Sequence, residues 1–350
     1  MSLIIENEKQ KQKVDKLFKK GLPSYREAFS DRMCFLMACL SELVYFKFNK
    51  AKFSNTHKEI IISKVNELLD KDKTDSIEKL FELVAYDHEE IKKELIEELD
   101  SINMKVLDYF DEDGTQAILC SADTFYALAF RGTEPSSIKD IKTDLDAKKT
   151  NCETGGNIHR GFKEAFRIVQ KKIQDSIDLN LQDKPLIITG HSLGGALATI
   201  ATKKLNYEKI AACYTFGSPR VGDEDWMFDI KPPIYRIVNS ADPVTMLPPS
   251  TDHIDFLTFI FKFVPYIGET ISKFFENYGG YSHTGYMRFL TNIENGNFQD
   301  ARLLYTVSFL RRIRAYAFKW ASFKKIPADH SIKVYRKKLQ HIAFTRQNIT

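Results

Sequence analysis

The sequence predicts an α/β fold: a mostly parallel central sheet flanked by helices, with a helical N-terminal extension. Three observations carry that expectation. From Met104 onward, short apolar segments with strand character alternate with amphipathic helical segments, the pattern of a layered parallel sheet. Pro185–Ala198 reads as a buried strand, then Gly190-His191-Ser192-Leu193-Gly194, then a small-residue helix. Residues 1–100 carry few Val/Ile/Thr runs and show apolar residues at helical spacing. A chain of 350 residues with 43% hydrophobic and 28% charged residues can bury one large core, or a core and a small appendage.

The elements follow in chain order. Asp31 to Phe48 places Phe35, Leu36, Cys39, Leu40, Leu43, Val44 and Phe46 on one broad helical face. Ile60 to Leu69 and Ile77 to Val84 repeat the period, and Glu89 to Leu99 is a charged amphipathic helix. Lys105 to Phe110, Gln116 to Cys120 and Phe125 to Phe130 read as strands separated by Asp/Gly and Ser/Asp turns. Then come helix Phe162 to Ile177, strand Leu186 to Thr189, helix Gly195 to Leu205, and strands Ile210 to Phe216 and Ile234 to Val238. Leu303 to Phe323 carries Phe309, Ile313, Tyr316, Trp320 and Phe323 at alternating spacings of four and three, the stripe of a basic amphipathic helix. The expected division is an extension over 1–100 packed on a core over 101–350.

Composition narrows the function classes. The N-terminus turns charged after three apolar residues, unlike a signal peptide, and no clean apolar run reaches spanning length. Five cysteines, odd in number and without C-x-x-C spacing, read as reduced thiols of a cytoplasmic protein and not as a metal site. The net charge is +4, but residues 310–350 hold eleven Lys/Arg against one acid, Asp329, so that segment is +10 and the remainder −6. Such asymmetry points to an anionic lipid surface as partner; no nucleic-acid motif accompanies it. Nothing in the residues bears on oligomeric state.

The chemistry centres on Ser192. A serine between two glycines on a strand-to-helix turn is exposed at a sheet edge, with the free N–H groups of a helix start behind it. Such a nucleophile needs a base, an orienting carboxylate and donors for the developing anion. Asp242 lies in the loop past the strand ending at Val238, at the sheet edge where active-site groups gather. Among eight histidines, His283 and His330 both follow it, and the order Ser, Asp, His does not separate them.

Five ordered blocks give a resemblance: Ala129-Phe-Arg-Gly-Thr-Glu134, Ile158-His-Arg-Gly-Phe162, Thr189-Gly-His-Ser-Leu-Gly-Gly-Ala-Leu-Ala198, Tyr214-Thr-Phe-Gly-Ser-Pro-Arg-Val-Gly222 and Asn239-Ser-Ala-Asp-Pro-Val-Thr-Met-Leu-Pro248. Over roughly residues 100 to 335 the chain resembles the class 3 (fungal-type) lipases of the α/β-hydrolase fold. That resemblance implies a serine ester hydrolase acting on lipid esters, of acylglycerol or phospholipid type, without metal or organic cofactor. It implies a Ser192, Asp242 and His330 triad, with His283 in a structural block before an edge strand and His191 turned away from the chemistry. It also implies an oxyanion hole from Thr133 and the N–H of Leu193, and a lid over Ser136 to Lys149. Here the lid region is strongly charged, a departure from lipid-docking lids, and the apolar insertion Ile254 to Phe275 is the alternative lipid-facing segment. The competing reading is a catalytically silent scaffold on the same fold.

Overall fold

The computed structural model describes residues 3–24, 28–46, 88–132, 148–240, 242–248, 250, 279–293, 298–308, 312 and 329–349, with six positions between 62 and 69. Of the expected features, Thr133, the lid up to residue 147, the insertion Ile254 to Phe275 and the helix Ile77 to Val84 lie outside the described residues. For Ile60 to Leu69, the six described positions are helical.

Eight strands form one sheet in the order β1-β2-β3-β6-β7-β8-β9-β10. These are β1 (Lys105–Glu112), β2 (Thr115–Ser121), β3 (Tyr126–Phe130), β6 (Leu186–His191), β7 (Ile210–Phe216), β8 (Ile234–Asn239), β9 (Tyr286–Leu290) and β10 (Leu303–Leu304). The five from β3 to β9 run parallel, with antiparallel strands at both edges. A separate hairpin joins β4 (Lys149–Asn151) to β5 (Asn157–His159). The parallel centre follows from the crossover helices, and it brings the C-terminal ends of β3, β6, β7 and β8 to one edge.

Alternation along the strands builds two cores. In β3, Ala127 and Ala129 face one side while Tyr126, Leu128 and Phe130 face the other. On the second side lie α4 (Arg160–Asn180) and α5 (Leu193–Lys204). Along α4, Phe162, Phe166, Val169, Ile173 and Ile177 recur every three or four residues and are buried. Each such side chain contributes about 1.5–3 kcal/mol on leaving water. The helix is capped by His159, whose Nδ1 accepts from the Phe162 N–H at 3.4 Å.

The first side is covered by α1 (Glu8–Lys19), α2 (Asp31–Leu43), α3 (His88–Ser101) and α7 (Ile332–Arg346). The short α6 (Glu224–Met227) lies between β7 and β8 in sequence. Two expectations are corrected here. The helix expected over Asp31 to Phe48 ends at Leu43, and every residue from Met33 to Leu43 is buried, so it has no solvated face. It sits between the sheet and α7, and even its polar residues are satisfied inside. The Thr189 hydroxyl donates to the Tyr214 carbonyl at 2.9 Å and meets Ser41 Oγ at 2.9 Å. The helix expected from Leu303 does not begin there: Leu303 and Leu304 pair with Leu290 and Phe289 as an edge strand. The local apolar period was outweighed by an open strand edge. The stripe from Phe309 lies outside the described residues.

The +10 segment is not one cationic face. Arg311, Arg314, Lys319, Lys324 and Lys325 lie outside the described residues. Arg336 is buried against Glu42, Lys337 pairs with Glu6 at 2.8 Å and Arg346 with Asp31 at 2.9 Å. Lys338 Nζ, fully buried, donates to Asn239 Oδ1 at 2.6 Å and the Thr291 carbonyl at 2.7 Å. These charges tie α7 to the N-terminal segment and the sheet. Among the described residues no helix is long and apolar enough to cross a membrane.

Candidate active site

Strand β6 is buried along its whole length and delivers the chain to the sheet's C-terminal edge. There Ser192 turns at φ 57° and ψ −128°, and α5 begins at the next residue. A non-glycine residue at positive φ is strained, and here the turn must be sharp enough to reverse a strand into a helix. Its N–H donates to the Phe216 carbonyl at 2.9 Å, anchoring the turn to β7. The flanking glycines are required by close approach. A Cβ on Gly190 would strike the Gly194 backbone, and one on Gly194 would strike the Phe130 carbonyl.

Three side chains from distant parts of the chain meet at this edge. Ser192 Oγ lies 2.8 Å from His330 Nε2. His330 Nδ1 lies 2.9 Å from both carboxylate oxygens of Asp242. All three are buried. Asp242 follows β8, as its place after Val238 predicts, and accepts two further hydrogen bonds: from the Val244 N–H at 3.0 Å and from Tyr335 Oη at 2.6 Å. Tyr335 in turn accepts from the Asn239 N–H at 2.9 Å. The loop carrying His330 is held because Asn239 Nδ2 donates to the Asp329 carbonyl at 2.8 Å. With Nδ1–H directed at the carboxylate, Nε2 presents its lone pair to the Ser192 hydroxyl.

The structure brings His330, not His283, to Ser192. His283 sits beneath the Asp242 loop, where its Nε2 donates to the Thr245 carbonyl at 2.8 Å. Burial first, then the charges of Arg236 and Arg220, hold its pKa well below the ordinary histidine value. His191 is a correction. It does not turn away from the site: its ring lies 4.6 Å from that of His330, and its Nε2 donates to the His330 carbonyl at 2.6 Å. Its Nδ1 accepts from Tyr45 Oη at 2.9 Å. Burial keeps His191 neutral, with its pKa well below the usual range.

Leu193 opens α5, so its N–H is among those with no intrahelical acceptor. The end of β3 runs beside Ser192: a Cβ built on Gly132 would lie 3.1 Å from Ser192 Cβ. Thr133 follows immediately but is outside the described residues. Sequence reasoning missed Tyr335, Tyr45 and Gly217. Gly217 adopts φ +59°, and a Cβ there would come within 2.5 Å of Asp242 Oδ2. The glycine in Tyr214-Thr-Phe-Gly-Ser was the available signal.

Two buried neutral histidines set an acid limit on stability. Unfolded histidine takes up a proton below about pH 6.5, whereas these do so only at lower pH. The unfolded state therefore binds more protons, and stability falls as pH drops below that value. The urea midpoint should decrease between pH 7.5 and pH 5, and His283→Asn should flatten the decrease. An unchanged slope would show that His283 titrates normally in the folded protein.

Residues 127–252 match the family model for class 3 lipase. The chain belongs to the class 3 lipase family. Its central sheet, nucleophile turn and flanking helices are those of an α/β-hydrolase fold. The matched segment covers the turn at Ser192 and Asp242 but ends before His330. Among curated relatives of this lipase family member, "Secreted mono- and diacylglycerol lipase 1" of Fusarium solani is 32% identical over 122 residues, 32% of this chain and 37% of that protein. "Lipase" of Rhizomucor miehei is 31% identical over 153 residues, covering 39% and 41%, and "Triacylglycerol lipase OBL1" of Arabidopsis thaliana is 26% identical over 227 residues, covering 49% and 42%. The alignments thus span about two-fifths of the length of these relatives. Solved structures with similar folds include a Rhizomucor miehei lipase propeptide complex (TM-score 0.46, 23% identity, 60% of this chain and 62% of that one) and a lipase from Rhizopus microsporus var. chinensis (0.47, 22%, 71% and 79%).

Proposed function

We propose that this protein is a serine carboxylic-ester hydrolase acting on lipid esters, with Ser192 as nucleophile, His330 as base and Asp242 as its orienting carboxylate. The observation that carries the reading is the continuous hydrogen-bonded chain from Ser192 Oγ through His330 to Asp242, with links of 2.8 and 2.9 Å. In the proposed reaction, His330 Nε2 takes the hydroxyl proton as Ser192 Oγ attacks the ester carbonyl carbon. The Leu193 N–H, with Thr133 as the second donor, stabilises the oxyanion. The bond to the alcohol then breaks, and His330 returns the proton to the departing oxygen. Water, deprotonated by the same imidazole, attacks the acyl-enzyme; the acid leaves and the serine regains its proton.

Acylglycerols are the favoured substrates, since the names of the Fusarium and Arabidopsis relatives specify acylglycerols. We place the reaction at a lipid–water surface reached through the apolar residues Phe256 to Ile267. A cytoplasmic location rests on the cysteines, all five of which are buried free thiols; the Fusarium relative is by name secreted.

A panel of short p-nitrophenyl esters, mono-, di- and triacylglycerols and phospholipids tests the substrate class. Wild type should hydrolyse short esters and acylglycerols faster than phospholipids, and Ser192→Ala should abolish all of it. Hydrolysis confined to phospholipids would transfer the assignment to a phospholipase, and activity on none would favour the silent scaffold.

A further inference from the structure

On the sheet face opposite α2, three arginines gather beneath the loop that carries Asp242. Arg236 lies on β8 between Tyr235 and Ile237, which face the other core, so its own side chain projects away from them. Arg220 follows β7 and donates through Nη1 to the Pro248 carbonyl at 2.7 Å. Arg312 donates through Nη2 to Thr245 Oγ1 at 2.7 Å. Arg220 and Arg312 are each 4% exposed. The three are close enough that Arg312 and Arg220, together with burial, draw the pKa of Arg236 down to about 9, and all three depress that of His283.

This arrangement runs against the usual economy of buried charge. A buried cation normally faces a carboxylate, and an unpaired one is costly. Here the neutral acceptors are carbonyls and a hydroxyl, and several donors are left over. Arg236 Nε and Nη1 and Arg312 Nε are buried without a hydrogen-bond partner. The guanidinium fork is the side-chain geometry best matched to a tetrahedral or planar oxyanion. Three such groups sharing one place supply more positive charge than a single carboxylate would neutralise.

We propose that Arg220, Arg236 and Arg312 form a receptor for a phosphate-type oxyanion, either free phosphate or the phosphate of a lipid headgroup. The bound anion would supply acceptors to the unfilled N–H groups and offset the mutual repulsion of the arginines. The site touches the Asp242 loop through Thr245, whose hydroxyl accepts from Arg312 and donates to the Asp242 carbonyl at 3.0 Å. It is separate from the ester-hydrolysing residues, and its occupancy is measurable without turnover.

The test is thermal unfolding of the full chain in inorganic phosphate against sodium chloride of equal ionic strength, with wild type beside Arg236→Gln. Phosphate at about a hundred times its Kd should raise the wild-type Tm by roughly 3–5 °C. The gain should vanish in Arg236→Gln. In chloride alone, Arg236→Gln should melt no lower than wild type, because it loses an unpaired buried charge. A parallel arm measures sedimentation with phosphatidylcholine vesicles with and without phosphatidic acid. Binding that needs both phosphatidic acid and Arg236 identifies the headgroup as the source; a phosphate response without vesicle binding identifies the free anion. Equal Tm in phosphate and chloride with no Arg236-dependent vesicle binding overturns the proposal. So does an Arg236→Gln protein that is several degrees less stable in chloride, since the arginine would then be satisfied within the fold.

Discussion

His330→Ala is expected to lower kcat for a soluble short-chain ester by roughly 10⁴–10⁶ while leaving a folded protein. The imidazole is the only group within hydrogen-bond distance of Ser192 Oγ among the printed side-chain contacts of the described residues, at 2.8 Å. Without it the hydroxyl has no acceptor for its proton. His283→Ala should behave differently. Its ring supports the Asp242 loop through Thr245 and does not hydrogen-bond to Ser192. Loss of that buried hydrogen bond should cost about 1–3 kcal/mol of stability and change kcat only a few-fold. Steady-state kinetics and urea unfolding on both variants separate the effects. A folded, inactive His283→Ala beside an active His330→Ala would reverse the assignment.

The largest stability effect is expected at Glu42. Its carboxylate accepts from Arg336 Nε inside the layer between α2 and α7, with Arg336 fully buried. Arg336 also donates to the carbonyls of Leu3 at 3.1 Å and Ile4 at 3.4 Å, so one guanidinium joins the N-terminal segment, α2 and α7. The carboxylate beside it outweighs burial and raises the arginine's pKa. Glu42→Gln leaves that charge buried without its counter-ion and should destabilise the protein by about 3–5 kcal/mol. Pairing it with Arg336→Met should recover a large part of the loss, as apolar replacement of a buried pair often does. Denaturant unfolding of the single and double variants checks this. A loss below 1 kcal/mol in Glu42→Gln would show that water reaches the pair.

The parallel sheet was legible because its strands are continuous apolar runs and its helices carry a clear stripe. Leu186 to Thr189 and Phe162 to Ile177 state their environment by period alone. The turn at Ser192 was legible for a steric reason: only glycine fits where Gly190 and Gly194 pass each other and β3. Asp242 could be placed by its position past a strand end. The choice of His330 needed block order, because nothing local distinguishes its environment from that of His283.

What was not legible depends on partners far away in sequence. Glu42 looked like a polar interruption of a helical face, but Arg336, 294 positions later, lets it be buried. His191 sits at a turn position whose neighbours say nothing of Tyr45 or of the His330 carbonyl. Leu303 and Leu304 fit a helical stripe until the open edge of β9 is available to pair with them. The +10 segment looked like one surface because net charge counts Arg336 and Lys338 without knowing that they point inward.

The central claim is that Ser192 is the activated nucleophile, and covalent labelling with a fluorophosphonate tests it most directly. Intact-mass and peptide analysis should find one adduct, on Ser192, forming much more slowly in His330→Ala and absent in Ser192→Ala. An adduct that forms at the wild-type rate in Ser192→Ala would contradict the account.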